Sequence, residues 1–236
     1  MGNPGYVKAV FLQARLDSVR LPQKALLTLC GKPVLEHVMD GLKRIDSDLY
    51  VLLTDESSAK DFKPIAENCG FKLFVGDKEN VLKRYSDASR YYGPDYIIRA
   101  TGDNPLVSPV LAEELYTLHL LENADYSGFL GMPYGAGVEI ISAKSLFKAE
   151  DNAVSSYDLE HVCPYLYNHP EKFIINRPVV RDSYFFPDGR ITLDTEEDYQ
   201  SLRNIFIKLY KQGPPDLLDV IGYLRVRQKL DGAFVG

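Results

Sequence analysis

The spacing of apolar and polar positions divides the chain into two unlike parts. Over the first 130 residues, short apolar runs alternate with amphipathic stretches. The run over 6–12, with Val10, Phe11 and Leu12 contiguous, predicts a strand buried on both faces. Pro33 opens a predicted helix through about residue 45, with Val34, Leu35, Val38, Leu42 and Ile45 as its apolar stripe. A strand over 49–53 and a helix over 58–69 follow, the helix stopped by Gly70. Strands at 71–75 and 96–100 and helices at 81–91 and 109–121 complete the series. This order predicts a parallel sheet with right-handed crossovers and helices on both faces.

The remainder is less regular. Residues 124–129 and 138–142 read as strands around a Gly/Pro-rich loop, 131–137. A helix over 157–167 contains Pro164, which kinks or ends it. Strands are predicted over 173–180, 184–186 and 190–193. Asp194 or Thr195 then caps a helix running to about residue 210. Pro214-Pro215 breaks the chain before a last amphipathic helix to about residue 230.

Composition narrows the class. With 45% hydrophobic and 25% charged residues, the 236-residue chain can bury a full core. A formal charge of −6 argues against nonspecific nucleic-acid binding, while leaving room for a local basic site. Three scattered cysteines exclude a disulfide framework and a cysteine zinc site, and point to a reducing cytoplasm. Residues 1–5 lack the pattern of a signal peptide, and no apolar run is long enough for a membrane helix.

The candidate chemistry falls on loops after strands, where open α/β sheets bind ligands. After the first strand stand Arg15, Ser18, Arg20, Pro22 and Lys24. Arginine forks and a lysine point charge suit a triphosphate, and Pro22 stiffens the turn that aims Lys24; the alternative is an ordinary solvated loop. After the fourth strand comes Thr101-Gly102-Asp103-Asn104-Pro105. Singly, Asp103 reads as a turn residue and Asp194 as a helix cap. Together they could hold magnesium, with phosphate oxygens and water as its other ligands, if they meet in space. His37 and His119 read as surface or satisfied interior residues. Walker, dinucleotide, zinc-protease and nucleophile-elbow patterns are absent, and the tyrosine clusters 91–92 and 165–167 read as core or subunit contacts.

Side by side, these blocks resemble the cytidylyltransferase-type nucleotidyltransferases. They are most similar to the spore coat polysaccharide biosynthesis protein F group, related to the CMP-ketodeoxyoctonate and acylneuraminate cytidylyltransferases. The resemblance rests on Gln13-Ala14-Arg15 with Ser18, Arg20-Leu21-Pro22 and Lys24, and on Arg99-Ala100-Thr101-Gly102-Asp103-Asn104-Pro105-Leu106. It continues in Val138-Glu139-Ile140, Glu160-His161-Val162 with Pro164-Tyr165, and Leu193-Asp194-Thr195-Glu196-Glu197-Asp198.

The resemblance implies a glycosyltransferase-A-like (nucleotide-diphospho-sugar transferase) three-layer α/β fold with a mostly parallel central sheet. It implies one nucleotidyltransferase domain: a nucleotide-binding half to 125, a sugar-binding and dimerising half over 126–212, and a C-terminal helix over 213–236. The implied reaction transfers CMP from CTP, or another nucleoside triphosphate's nucleotidyl group, to a sugar or sugar acid for surface polysaccharide synthesis, releasing pyrophosphate. The resemblance places Gln13, Ala14, Arg15, Ser18, Arg20, Lys24, Arg99, Thr101, Gly102 and Asp103 on the nucleotide. Arg15, Arg20, Lys24 and Asp103 are the catalytic group, Asp103 and Asp194 the Mg2+ ligands, and Glu139, Glu160 and His161 the acceptor contacts. It implies a cytoplasmic homodimer with no nucleic-acid or membrane partner. Two positions depart from the pattern: the family carries glycine at Gln23, and often an acidic residue at Gly137. Rival readings are a glycosyltransferase using a nucleotide sugar and a non-catalytic nucleotide-binding protein.

Overall fold

The computed structural model describes residues 5–233. The reading of residues 1–4, and of the last three residues of the 213–236 segment, falls outside them. Strand β1 (Lys8–Gln13) is followed by a 3-10 turn at Lys24–Leu26 and a small hairpin, β2 (Thr28–Leu29) and β3 (Lys32–Pro33). Then come α1 (Val34–Leu42), β4 (Leu49–Thr54), α2 (Glu56–Asn68), β5 (Lys72–Val75), α3 (Val81–Tyr92), β6 (Tyr96–Thr101) and α4 (Pro109–Leu121). The second part holds β7 (Tyr126–Gly128), β8 (Glu139–Ser142), α5 (Ala143–Asn152), α6 (Ser156–His161), α7 (Pro164–Tyr167) and β9 (Ile175–Asn176). It ends with α8 (Glu196–Leu209) and α9 (Leu217–Ala233).

The main sheet has the order β5-β4-β1-β6-β8-β7-β9. It is parallel except where β8 runs against β6 and β7. β1 lies at the middle of the parallel part and is buried on both faces. Val10 and Leu12 enter one core with Leu35, Val38, Leu115 and Phe206. Ala9 and Phe11 enter the other with Leu82, Tyr85 and Leu146. That continuous burial is why the strand reads as an unbroken apolar run, and it gives the three-layer arrangement.

Helix ends obey local chemistry. Asp55, Asn80, Ser108 and Thr195 each accept a backbone N–H in the first turn of α2, α3, α4 and α8. Gly70 follows α2 at φ +70°. His37 and His119 prove to be interior residues. His37 Nε2 lies 2.7 Å from the Leu29 carbonyl, and His119 Nδ1 lies 2.8 Å from Ser127 Oγ.

The second half differs from its sequence pattern in three ways. The 184–186 strand is absent, and the 190–193 strand reduces to a single bridge from Arg190 to Tyr134. The 173–180 strand shortens to Ile175–Asn176 and a bridge from Val179 to Leu130, where Pro178 removes a ladder donor, and Pro187 and Gly189 lie between the other two runs. The 157–167 helix is two helices, parted by a γ-turn in which Cys163 N–H donates to the His161 carbonyl and Val162 sits at φ +71°. Pro164 then begins α7, where its missing N–H costs nothing. The structure adds α5, whose buried face is Ala143, Ser145, Leu146 and Ala149.

Gln23 takes the left-handed conformation, φ 55° and ψ 24°, immediately before Lys24. Glycine reaches that region without a Cβ clash, which is the physical reason for glycine at this position in the resembled family. Gln23→Gly should therefore raise stability by about 0.5–1 kcal/mol, and Gln23→Val should lower it. Urea midpoints at constant slope measure both.

Candidate active site

The parallel register sets Gln13 beside Thr101, so the loops leaving β1 and β6 emerge together. They pack without a gap: a Cβ on Gly102 would lie 2.8 Å from the Ala14 Cβ. Gly102 N–H also donates to the Gln13 carbonyl at 2.8 Å. A third segment closes on this pair, because Leu193 N–H donates to the Asp103 carbonyl at 2.8 Å. Asp103 and Asp194, far apart in sequence, thereby face one point.

Lys24 occupies that point. Its Nζ is 2.8 Å from Asp103 Oδ2, 2.7 Å from Asp194 Oδ1 and 2.7 Å from the Leu193 carbonyl oxygen. Arg20 Nη2 approaches Asp194 Oδ1 at 3.3 Å, and Arg190 Nη2 reaches Asp194 Oδ2 at 3.0 Å. Asp103 Oδ1 accepts the Thr101 hydroxyl at 2.7 Å. Asp194 is not the cap of α8; Thr195 is. Asp198 Oδ2 completes the capping box by accepting the N–H groups of Asp194 and Thr195, and both its oxygens accept from Arg190 at 2.7 and 2.9 Å. Burial opposes ionisation of Asp194, but Lys24, Arg190 and Arg20 outweigh it and hold its pKa below the usual value. Asp198 is lowered likewise: burial is offset by Arg190 and by the two N–H donors.

Among the described residues, no group of three or more His, Cys, Asp or Glu side chains could cage a metal. The donor set nevertheless suits magnesium. Two carboxylates and a carbonyl already surround one cation here, and magnesium takes few protein oxygens, filling its octahedron with phosphate and water.

The loops open into a cleft of about 930 Å3. Every sequence-predicted site residue lines it: Gln13, Ala14, Arg15, Ser18, Arg20 and Lys24 on one side, Arg99, Thr101, Gly102 and Asp103 at its base, and Glu139, Glu160, His161 and Asp194 around them. They do not form one cluster. Arg15 pairs with Glu160 at 3.3 Å and with Asp17 at 3.7 Å, apart from the Lys24 group. Arg99 and Glu139 are register partners on β6 and β8 and form a half-buried ion pair. Arg99 also donates to Gln13 Oε1 at 3.1 Å, and Tyr126 OH donates to Glu139 Oε1 at 2.7 Å. Glu139 is thus engaged by protein partners. His161 packs against Tyr157 with the rings tilted at 57° and their centres 4.5 Å apart. At Gly137 a Cβ would lie 2.0 Å from the Met132 methyl, so Met132 fills the space of the acidic residue often found there.

Sequence reading missed four participants. Arg84, on α3, is 1% exposed, donates through Nη1 to the Asp77 carbonyl at 2.8 Å and leaves Nε without an acceptor. It lines the cleft and has no carboxylate partner among the described residues. Its signal was a charged residue on the buried face of a helical stripe beside Tyr85 and Ala88. Cys163 lies in the cleft floor, where burial and then the Glu139 charge push its thiol pKa up, so it stays protonated. Arg190 and Asp198 form the clamp behind Asp194. Of the tyrosines assigned to core or subunit contacts, Tyr165 is buried, but Tyr167 faces the cleft beside Tyr126.

The fold and this edge define an α/β nucleotidyltransferase of the nucleotide-diphospho-sugar transferase type, and known structures agree. A cytidylyltransferase from Leptospira borgpetersenii superposes with TM-score 0.87 at 25% identity, covering 95% of this chain and 96% of that one. CMP:2-keto-3-deoxy-manno-octonic acid synthetase complexed with CTP shares the fold, with TM-score 0.68 at 16% identity over 86% of this chain and 99% of its own. The family model for cytidylyltransferases matches residues 9–228, and the chain belongs to that enzyme family. The spore coat polysaccharide biosynthesis protein SpsF of Bacillus subtilis is 31% identical over 206 residues, 84% of this chain and 85% of its own. The 3-deoxy-manno-octulosonate cytidylyltransferase of Psychrobacter cryohalolentis is 32% identical over 123 residues, 49% of this chain and 44% of its own.

Asp194 and Asp198 contribute stability that is complete above the unfolded carboxylate pKa of about 3.9 and is lost as pH falls through their lower folded values. Arg190→Met raises those folded values. It should move the acid-unfolding midpoint to higher pH while leaving stability at pH 7 less affected than Asp198→Ala does; circular dichroism against pH reads the shift.

Proposed function

We propose that the protein transfers CMP from CTP to a sugar or sugar acid, releasing pyrophosphate, for surface polysaccharide synthesis. The observation that carries this reading is the meeting of Lys24, Asp103 and Asp194 at one point of a cleft that Arg15 and Arg20 also line. It supports a division of labour in which the half to residue 125 holds the nucleotide and 126–212 holds the acceptor. Arg20 and Lys24 take the phosphate oxygens. Arg15, steadied by Glu160, frames the same loop. Arg84 offers buried donors with no internal anion to satisfy them, and is the expected partner for an acceptor atom of the nucleotide. Glu160, His161 and Tyr167 border the acceptor, while the Arg99–Glu139 pair fixes Gln13 and Tyr126 beneath it.

In the reaction, an acceptor hydroxyl attacks the α-phosphorus and the bond to the β-phosphate breaks. Fixed guanidinium and ammonium groups stabilise the charge that grows on the phosphate and departing pyrophosphate oxygens. Asp103 and Asp194 would hold Mg2+, which supplies Lewis-acid neutralisation of that charge. The cytoplasm and a homodimer of the 26.6 kDa chain complete the reading.

Purified protein incubated with CTP, magnesium and a panel of sugars and sugar acids should release pyrophosphate. Release of nucleoside mono- or diphosphate from a nucleotide sugar instead would replace this reading with a glycosyltransferase. Asp103→Asn should cut turnover about a hundredfold or more, with the circular dichroism spectrum retained. Arg84→Met should weaken CTP binding by about tenfold or more, the size of one charged hydrogen bond, as isothermal titration would read.

A further inference from the structure

We propose that Lys24 is the resident cation of the acidic site, so that a triphosphate must draw its ammonium away before a divalent ion can enter. This rests on the functional reading above, and adds to it an order of binding. An ammonium has three donors and no acceptor. All three are spent: on Asp103 Oδ2, Asp194 Oδ1 and the Leu193 carbonyl oxygen, each within 2.8 Å. Lys24 therefore has no hydrogen left for a phosphate while it stands there. The side chain is 14% exposed, and the two carboxylates are 25% and 13% exposed, so little water screens the group.

The same oxygens are the ones a divalent ion would take. Magnesium binds oxygen at about 2.0–2.1 Å, and the point between these carboxylates is filled by Nζ. Charge gives the same answer as space. Asp103, Asp194 and Asp198 are balanced by Lys24, Arg20 and Arg190, so a divalent ion added to this set meets an already neutral cluster. A triphosphate changes that balance. It gives Lys24 and Arg20 new anionic partners on the adjoining loop, leaving Asp103 without its cation and Asp194 with Arg190 alone. The four-carbon lysine stem can make this swing without moving the backbone. The device keeps the empty cleft metal-free and makes the loaded site appear only with its nucleotide.

Manganese titration followed by electron paramagnetic resonance tests the order without any turnover. Wild-type protein without nucleotide should bind Mn2+ weakly. Lys24→Met should bind it more tightly by on the order of tenfold or more, the influence of one close charge on an ionic equilibrium. Lys24→Gln, which fills the space with a neutral amide, serves if the methionine variant does not fold. The tighter binding should vanish when Asp103→Asn is added. Equal Mn2+ affinity in wild type and both Lys24 variants overturns the gate while leaving the site assignment intact, provided wild type binds Mn2+ with α,β-methylene-CTP. No Mn2+ binding in any of these proteins even with that analogue overturns the metal site itself, and the gate with it.

Discussion

Three hydrogen bonds from one ammonium hold this site together. Lys24 stands on the loop after β1, Asp103 on the loop after β6, and Leu193 and Asp194 on the segment that enters α8. These pieces share no secondary structure. What brings them to one edge is the parallel sheet, whose strands end in register, and the Leu193–Asp103 backbone bond that ties the late segment to the early loop. Asp198 then fixes Asp194 from behind, through its backbone N–H and through Arg190. A carboxylate held by three cations and an anchored backbone keeps its geometry before any ligand arrives, which is the condition for electrostatic catalysis.

The first half was legible because its signals are local and agree with one another. Apolar runs, helix stripes, caps and glycine stops all imply the same alternation, and the elements lie within a few residues of the expected ends. The second half was less so, because β7 and β9 are only three and two residues long and prolines leave single bridges in place of ladders around them. Helix α5 was passed over although its buried Ala143, Leu146 and Ala149 recur at helical spacing.

At the site, the identities of the phosphate-loop cations and the two acids could be read from residue types after strands. Their meeting could not, since it depends on a backbone bond between residues 90 apart in the chain. Asp194 shows the difference. Its sequence context suits a helix cap, and only the structure shows that Thr195 takes that role and leaves the Asp194 carboxylate to Lys24, Arg20 and Arg190. Arg84 was hidden for the opposite reason: one cation in an otherwise apolar helix face looks like a solvated surface residue until its burial is known.

An acidic chain that binds a triphosphate must concentrate positive charge locally without destabilising itself. Here it does so by pairing. Arg15 rests on Glu160 and Asp17, Arg20 on Asp194, Lys24 on Asp103 and Asp194, and Arg99 on Glu139. Each of these cations is therefore matched by a carboxylate with which a single phosphate must compete, while Arg84 lines the cleft with no carboxylate partner among the described residues. A triphosphate with its divalent ion competes on different terms, because it offers the cations anionic partners and the released acids a new cation together. On the proposed reading, that exchange would favour the metal-bound triphosphate over simpler anions. Pairing most of its cations with carboxylates lets a cation-lined cleft sit in a chain whose net charge is −6.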